Sequence, residues 1–292
     1  MKRPLTERRN PRSRGLDRLT TRKVLELIND EDARVAPAVR RVIPAVRRAV
    51  ELAADRLSSG GRLFYVGAGT SGRLGVLDAV ELGPTFGVPT ARAKGIVAGG
   101  RRALSRAVEG AEDADGSGDL ETAGVRAGDI VIGISASALT RFVRTALAWA
   151  KAQGCATVLV CCTRIARPAF ADVLINPVTG PEVVAGSTRM KAGTATKLVL
   201  NMLSTAVMVR LGKVHDNLMV DVKPTSAKLR RRAIGLVKEI GGISRGRAEG
   251  LLDEAHGSTK TAIVMARRRC TLRQARAVLA RHRGRLRNAL AE

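Results

Sequence analysis

Short apolar runs that alternate with helix-periodic stretches constrain this chain more than any other feature. Residues 63–66, 95–98, 129–134, 157–162 and 173–175 read as strands, and helical patterns over 74–80, 102–108 and 140–153 lie between them. Strands that are apolar on both faces need cover on both faces, and a strand–helix–strand rhythm joins parallel neighbours. The pattern predicts an α/β fold with a mainly parallel five-stranded sheet flanked by helices. Ligands of such sheets bind beyond the carboxyl ends of the strands.

The rest of the chain reads as helical. Residues 1–18, with Pro4 and Pro11, form an N-terminal arm, after which Thr20 or Thr21 can cap a helix carrying Val24, Leu25, Leu27 and Ile28. A second helix is expected from near Pro37 through Val39, Val42, Ile43, Val46 and Val50 to Leu57, ended by Ser58-Ser59-Gly60-Gly61. Residues 194–211 are apolar around the whole helix, which implies burial in the domain or at a subunit interface. A small C-terminal appendage of three or four helices breaks at Gly241-Gly242, near Gly257 and over 269–271. The expected organisation is an arm over 1–18, a ligand-binding domain over 19–226 and a helical domain over 227–292.

Composition narrows the partners. Aromatic residues make up 2% of the chain, too few rings for a binder that stacks bases. The net charge of +25 invites a nucleic-acid reading, yet it is concentrated at the ends. Residues 1–23 hold nine Lys/Arg against two acids, 228–292 hold seventeen against five, and the middle is nearly balanced. Runs of this kind fit solvated helix faces, so nucleic acid is not the expected partner. Four cysteines include no C-x-x-C pair, and Cys161-Cys162 follow an apolar run as buried strand residues do, which fits a reducing cytoplasm. No apolar segment follows the basic N-terminus, and the longest apolar stretch, 198–211, is short and carries Asn201 and Arg210, so neither export nor a membrane span is expected. His215, His256 and His282 are scattered without metal-ligand spacing, so no metal site is expected.

Gly67-Ala68-Gly69-Thr70-Ser71-Gly72 follows a strand and opens a helix, which aims free backbone N–H groups and a helix dipole at an anion. A dinucleotide site would end the next strand in an acid, whereas residues 95–98 run into Gly99-Gly100. The hydroxyls of Thr70 and Ser71 beside Gly69 favour a terminal phosphate instead; a glycine turn that only packs helix on strand is the plainer alternative. The second strand-to-helix loop offers Ser135, Ser137 and Thr140, which serve either a phosphosugar or ordinary helix capping. Glu81, and Glu109, Glu112 and Asp113, lie near these loops, and two carboxylates in a partly dry crevice can divide base and acid roles. Gly186-Ser187-Thr188-Arg189-Met190-Lys191, with Glu182 upstream, suits an anion contact or a tight subunit contact, with Glu182, Ser187 and Lys191 as the candidate residues at a bound sugar phosphate.

These segments together resemble the N-acetylmuramic acid 6-phosphate etherase family. The resemblance rests on Gly67 through Gly75, Leu77-Asp78-Ala79-Val80-Glu81, Ala107 through Asp113, residues 186–201 and Asn217-Leu218-Met219-Val220-Asp221-Val222, and extends to Thr6-Glu7, Arg9-Asn10 and residues 27–32. It implies a SIS-type, flavodoxin-like sandwich that binds a sugar phosphate, uses no cofactor and removes D-lactate from the sugar's 3-position during recycling of cell-wall sugars. It implies Glu81 as the proton donor to lactate, Glu112 as the second active-site glutamate, and a homodimer whose pockets draw on both chains, with residues 186–194 near the partner. Glucokinase regulatory proteins share the scaffold, and a non-catalytic phosphosugar-binding regulator is the alternative. The family's Gly-Arg-Thr-Pro is here Ala138-Leu139-Thr140-Arg141, its Pro-Pro is Gly83-Pro84, and the glycine before Asn217 is Asp216. Thr163-Arg164-Ile165 departs from an asparagine-containing turn.

Overall fold

The computed structural model describes residues 4–291. The chain gathers into two compact units, Met1–Val80 with Ala91–Ser204, and Glu81–Thr90 with Thr205–Glu292. The first holds three 3-10 turns (Leu5–Glu7, Pro11–Ser13, Leu16–Arg18), α1 (Thr21–Asp32), α2 (Val35–Arg40), α3 (Ile43–Ser58), β1 (Leu63–Gly67), α4 (Gly69–Phe86), β2 (Ala93–Val97), α5 (Ser117–Thr122), β3 (Ile130–Ile134), α6 (Arg141–Ala152), β4 (Ala156–Val160), β5 (Val173–Ile175) and α7 (Lys191–Arg210). Helices α4 and α7 each supply residues to both units.

All five strands run parallel in the order β2-β1-β3-β4-β5. Every residue of β1, β3 and β4 is buried, which is why these segments read as unbroken apolar runs. Phe64 and Val66 of β1, Val131 of β3 and Leu159 of β4 pack with Phe142 and Leu147 of α6 in one core layer. Gly67 pairs with Val97 on one side and Ile134 on the other, and Ile134 with Val160, so four strands end level. Chain order reverses across β1, which makes the ends of β1 and its neighbours the crevice where such sheets bind ligands. The turn there depends on two facing glycines. A methyl group on Gly67 would stand 2.6 Å from the Gly72 nitrogen, and one on Gly72 2.5 Å from the Gly67 oxygen, so α4 starts directly on the end of β1.

Several expected elements differ. The helix expected from Pro37 to Leu57 breaks at Arg41-Val42, because Pro44 sits in the first turn of α3 and has no N–H to continue the ladder from α2. The helix expected over 102–108 is a 3-10 turn, Gly100–Leu104. The carbonyls of Ala103 and Arg106, which a longer helix would use, accept instead from the Arg73 guanidinium at 2.9 and 3.0 Å. The arm is a docked segment: Leu5 N donates to Thr163 Oγ1, Ser13 Oγ donates to the Val183 carbonyl, and Thr6 and Asn10 are buried. By length and composition α7 could cross a membrane, yet Ala192, Ala195, Val199, Leu200, Leu203, Val207 and Met208 are buried core positions.

The second unit contains a hairpin, β6 (Val214–His215) and β7 (Leu218–Met219), and five helices, α8 (Ala227–Gly241), α9 (Arg245–Glu254), α10 (Thr259–Arg268), α11 (Leu272–Arg281) and α12 (Leu286–Ala291). Ser226, Ser244, Ser258 and Thr271 cap the first four of these helices through their hydroxyls. The fifth helix was not expected; Arg283 and Gly284, both with positive φ, separate it from α11. Val220 and Val222 pack with Ile234, Leu252, Ile263 and Leu286, so the helical core begins ahead of residue 227. Asp221 joins this unit through ion pairs to Lys213 at 2.6 Å and Lys260 at 3.0 Å.

Candidate active site

A cleft of about 310 Å³ opens at the carboxyl ends of β1 and β2. Gly69, Thr70 and Ser71 form one wall, Glu109 through Glu112 another, and Thr188 a third. The wall at Gly69 is the first turn of α4, where backbone N–H groups have no partner in the helix and the helix dipole is positive. Glu112 stands exposed on the 3-10 turn Ala111–Asp113, which Gly110 enters in the left-handed conformation. Arg73 also lines the cleft and, through its bonds to Ala103 and Arg106, ties the start of α4 to the segment after β2. An anion would meet helix N–H groups, two hydroxyls and a guanidinium here, with a carboxylate across from them.

Helix α4 is fixed from beneath. Asp78 lies seven residues after Ser71, hence on the same face two turns on, and is buried. It accepts from Tyr65 Oη on β1 at 2.7 Å and from Ser204 Oγ on α7 at 3.1 Å. Burial raises the Asp78 carboxyl above the usual range, against the pull of those two bonds and of Lys197. Burial, then the Asp78 charge, lifts the Tyr65 hydroxyl well above an ordinary phenol.

The second loop emerges from the end of β3, level with the first. Its hydroxyls are engaged locally: Ser135 Oγ donates to Thr140 Oγ1 at 2.9 Å, and Ser137 Oγ accepts from Leu139 N at 3.2 Å. Thr140 precedes α6 without capping it through its side chain. None of the three lines the cleft beside Glu112, but Arg141 donates from Nη1 to the Asp113 carbonyl at 3.4 Å and so braces the turn that carries Glu112.

Glu182 and Lys191, expected at the phosphate, stand elsewhere. Both are buried; Glu182 accepts from the backbone nitrogens of Lys191 and Ala192 at 3.0 and 2.9 Å, and Lys191 Nζ is bonded to Glu31. Burial raises the Glu182 carboxyl, opposed by those two backbone bonds. Ser187 is half-buried, and it is its neighbour Thr188 that reaches the cleft wall. Thr188 and Arg73 were both inside recognisable segments, but nothing in the spacing singles them out. Glu81 is exposed on α4 and belongs to the second unit.

Two wider clefts, of about 470 and 510 Å³, lie in the second unit. The first is walled by the ion-paired Lys213 and Asp221 and by the Gly257-Ser258 turn that opens α10, the second by Arg210, Asp216 and Arg285, and neither has a glutamate in its wall. The smaller cleft is the chemically organised one. Among the described residues no group of three His, Cys, Asp or Glu is placed to hold a metal.

A family model described as the glucokinase regulatory protein N-terminal SIS domain matches residues 45–151. The chain is 53% identical over 291 residues to the N-acetylmuramic acid 6-phosphate etherase of Yersinia pestis (strain Pestoides F), covering 98% of both proteins. The etherase of Yersinia pseudotuberculosis serotype O:1b matches to the same extent. Among solved structures, the protein c3406 of E. coli CFT073, solved as a complex, has a TM-score of 0.50 at 16% identity, covering 68% of this chain and 97% of that one. Phosphoheptose isomerase GmhA from Neisseria gonorrhoeae has a TM-score of 0.47 at 18% identity, covering 64% and 98%.

Proposed function

The chain belongs to the N-acetylmuramic acid 6-phosphate etherase family, and on that premise we propose how its own residues carry the reaction. The enzyme cleaves the D-lactyl ether of N-acetylmuramic acid 6-phosphate, giving N-acetylglucosamine 6-phosphate and D-lactate in cell-wall sugar recycling. The phosphate docks on the first turn of α4, with the Thr70 and Ser71 hydroxyls and the free N–H groups there as its donors. Ring opening exposes an aldehyde that acidifies the C2 proton. One carboxylate takes that proton, the electron pair forms the C2–C3 double bond, and the C3–oxygen bond breaks as an acid protonates the departing lactate oxygen. Water then adds at C3 and a proton returns to C2, so no external electron acceptor is needed.

Glu81 is the donor to lactate and Glu112 its partner at C2. The observation that carries this reading is the presence of Glu112 in the same cleft as the glycine–hydroxyl turn. Glu109 shares that wall and is the natural control. Purified enzyme is incubated with the substrate while lactate release and exchange of the C2 hydrogen with solvent are followed. Glu81→Gln is expected to abolish lactate release and keep exchange, Glu112→Gln to abolish both, and Glu109→Gln to retain both. Lactate release at the wild-type rate by Glu81→Gln or Glu112→Gln would refute the assignment.

The working form is a homodimer in the cytoplasm. Leu77 and Val80 on α4, with Leu139 and Val184, are large apolar residues left exposed, which supports a covered face. The four cysteines are all free, in keeping with a reducing compartment. A purely regulatory role has the SIS-domain match over 45–151 in its favour, but the etherase relatives match 98% of the chain.

A further inference from the structure

We infer that Asn10, Glu31 and Lys191 are positioning residues of the active site: together they hold the segment carrying Thr188 against the phosphate-binding turn. The inference rests on the reading of that cleft as the phosphosugar site. Glu31 on α1 and Lys191 at the start of α7 are each 2% exposed, and Asn10 is 5% exposed. Lys191 Nζ and Asn10 Nδ2 converge on the same oxygen, Glu31 Oε2, the latter at 2.9 Å. Arg12 Nε faces the other oxygen at 3.2 Å.

The cluster pins the chain on both sides of Thr188. Upstream, Asn10 Nδ2 also donates to the Pro181 carbonyl at 3.3 Å and Ser13 Oγ to the Val183 carbonyl at 2.7 Å. Downstream, residue 191 is gripped twice, its ammonium by Glu31 and its backbone nitrogen by Glu182. The helical turn that follows runs beside the site. A methyl group at Gly193 would fit at ordinary contact distance, 3.6 Å from Thr70 Cγ2 and 3.5 Å from the Thr188 oxygen, so the first turn of α7 lies next to both walls. A buried ion pair is a poor source of stability compared with apolar packing, whereas in some folds its fixed geometry sets the register of the elements it joins. Three buried polar groups from three segments distant in sequence, meeting three residues past Thr188 at the start of α7, fit the second use.

Steady-state lactate release is measured for Asn10→Ala, Lys191→Met and the double variant, with circular dichroism and thermal unfolding to verify the fold. Each single change is expected to raise KM roughly fivefold or more while kcat stays within about twofold, the split that marks lost binding and not lost chemistry. Because both act through Glu31, the double variant is expected to raise KM less than the product of the singles. Folded variants with wild-type KM, or a fall in kcat at unchanged KM, would overturn the inference. Asn10→Ala leaves the ion pair intact and decides the matter alone should Lys191→Met not fold. Ser71→Ala and Thr188→Ala run alongside. If these raise KM and the cluster variants do not, positioning is wrong and the cleft stands; if none of the four raises KM, the cleft reading falls with it.

Discussion

Tyr65 is the chain's single tyrosine, which makes its environment directly measurable. Burial and then the adjacent Asp78 charge hold its proton, so the folded-state pKa lies above the unfolded value. A group raised in this way contributes fully below its unfolded pKa, about 10 for tyrosine, and that contribution is lost as pH rises beyond it. Alkaline difference absorption should show no phenolate near pH 10 while the protein is folded, and then a rise coincident with unfolding. A phenolate titrating near pH 10 in the folded protein would remove the buried Tyr65–Asp78 bond. Legibility at this scale was uneven for a physical reason. Glu112 is set apart from Glu109 and Asp113 only by the family resemblance, whereas Thr70 and Ser71 were readable because glycine and hydroxyl types cluster after an apolar run. The true setting of Lys191 was not, because its partner Glu31 lies 160 residues away and a cation beside small residues looks like an anion ligand.

At the scale of elements, the partly exposed edge strand β2 reads two residues late, at 95–98 for 93–97, while β1, β3 and β4 were legible because both of their faces are buried and composition alone marks them. The breaks between α2 and α3 and after α11 were not. Both depend on local backbone chemistry, Pro44 in one case and two positive-φ residues in the other, set within otherwise continuous helical periodicity. The β1-to-α4 turn is where element geometry and function meet. Gly72→Ala forces a methyl into the 2.5 Å approach to the Gly67 oxygen, and Val97 Cγ2 stands 2.7 Å away on the same side. Overpacking of this kind costs at least about 1–3 kcal/mol, and relief requires α4 to lift from β1. Thermal unfolding should therefore fall and KM should rise in the same variant. A Gly72→Ala protein with unchanged stability and unchanged KM would contradict the close-approach account.

For the whole molecule, exposed apolar surface is what a partner subunit would cover. The sequence directed attention to residues 194–211, but α7 spends most of its apolar residues on the core, and exposed Leu77 and Val80 on α4 now carry the case for a partner. A specific two-fold interface should bury roughly 1,200 Å² or more. Sedimentation at micromolar concentration should give twice the mass of one chain, and a fully active species of single-chain mass would exclude an obligate dimer. The central claim is that the ether breaks on the sugar side by elimination and is replaced by water. Turnover of N-acetylmuramic acid 6-phosphate in heavy-oxygen water tests it most directly. The account predicts equal amounts of D-lactate and N-acetylglucosamine 6-phosphate, with the heavy oxygen at C3 of the sugar and none in the lactate; a folded enzyme that releases no lactate, or that places the heavy oxygen in the lactate, would contradict it.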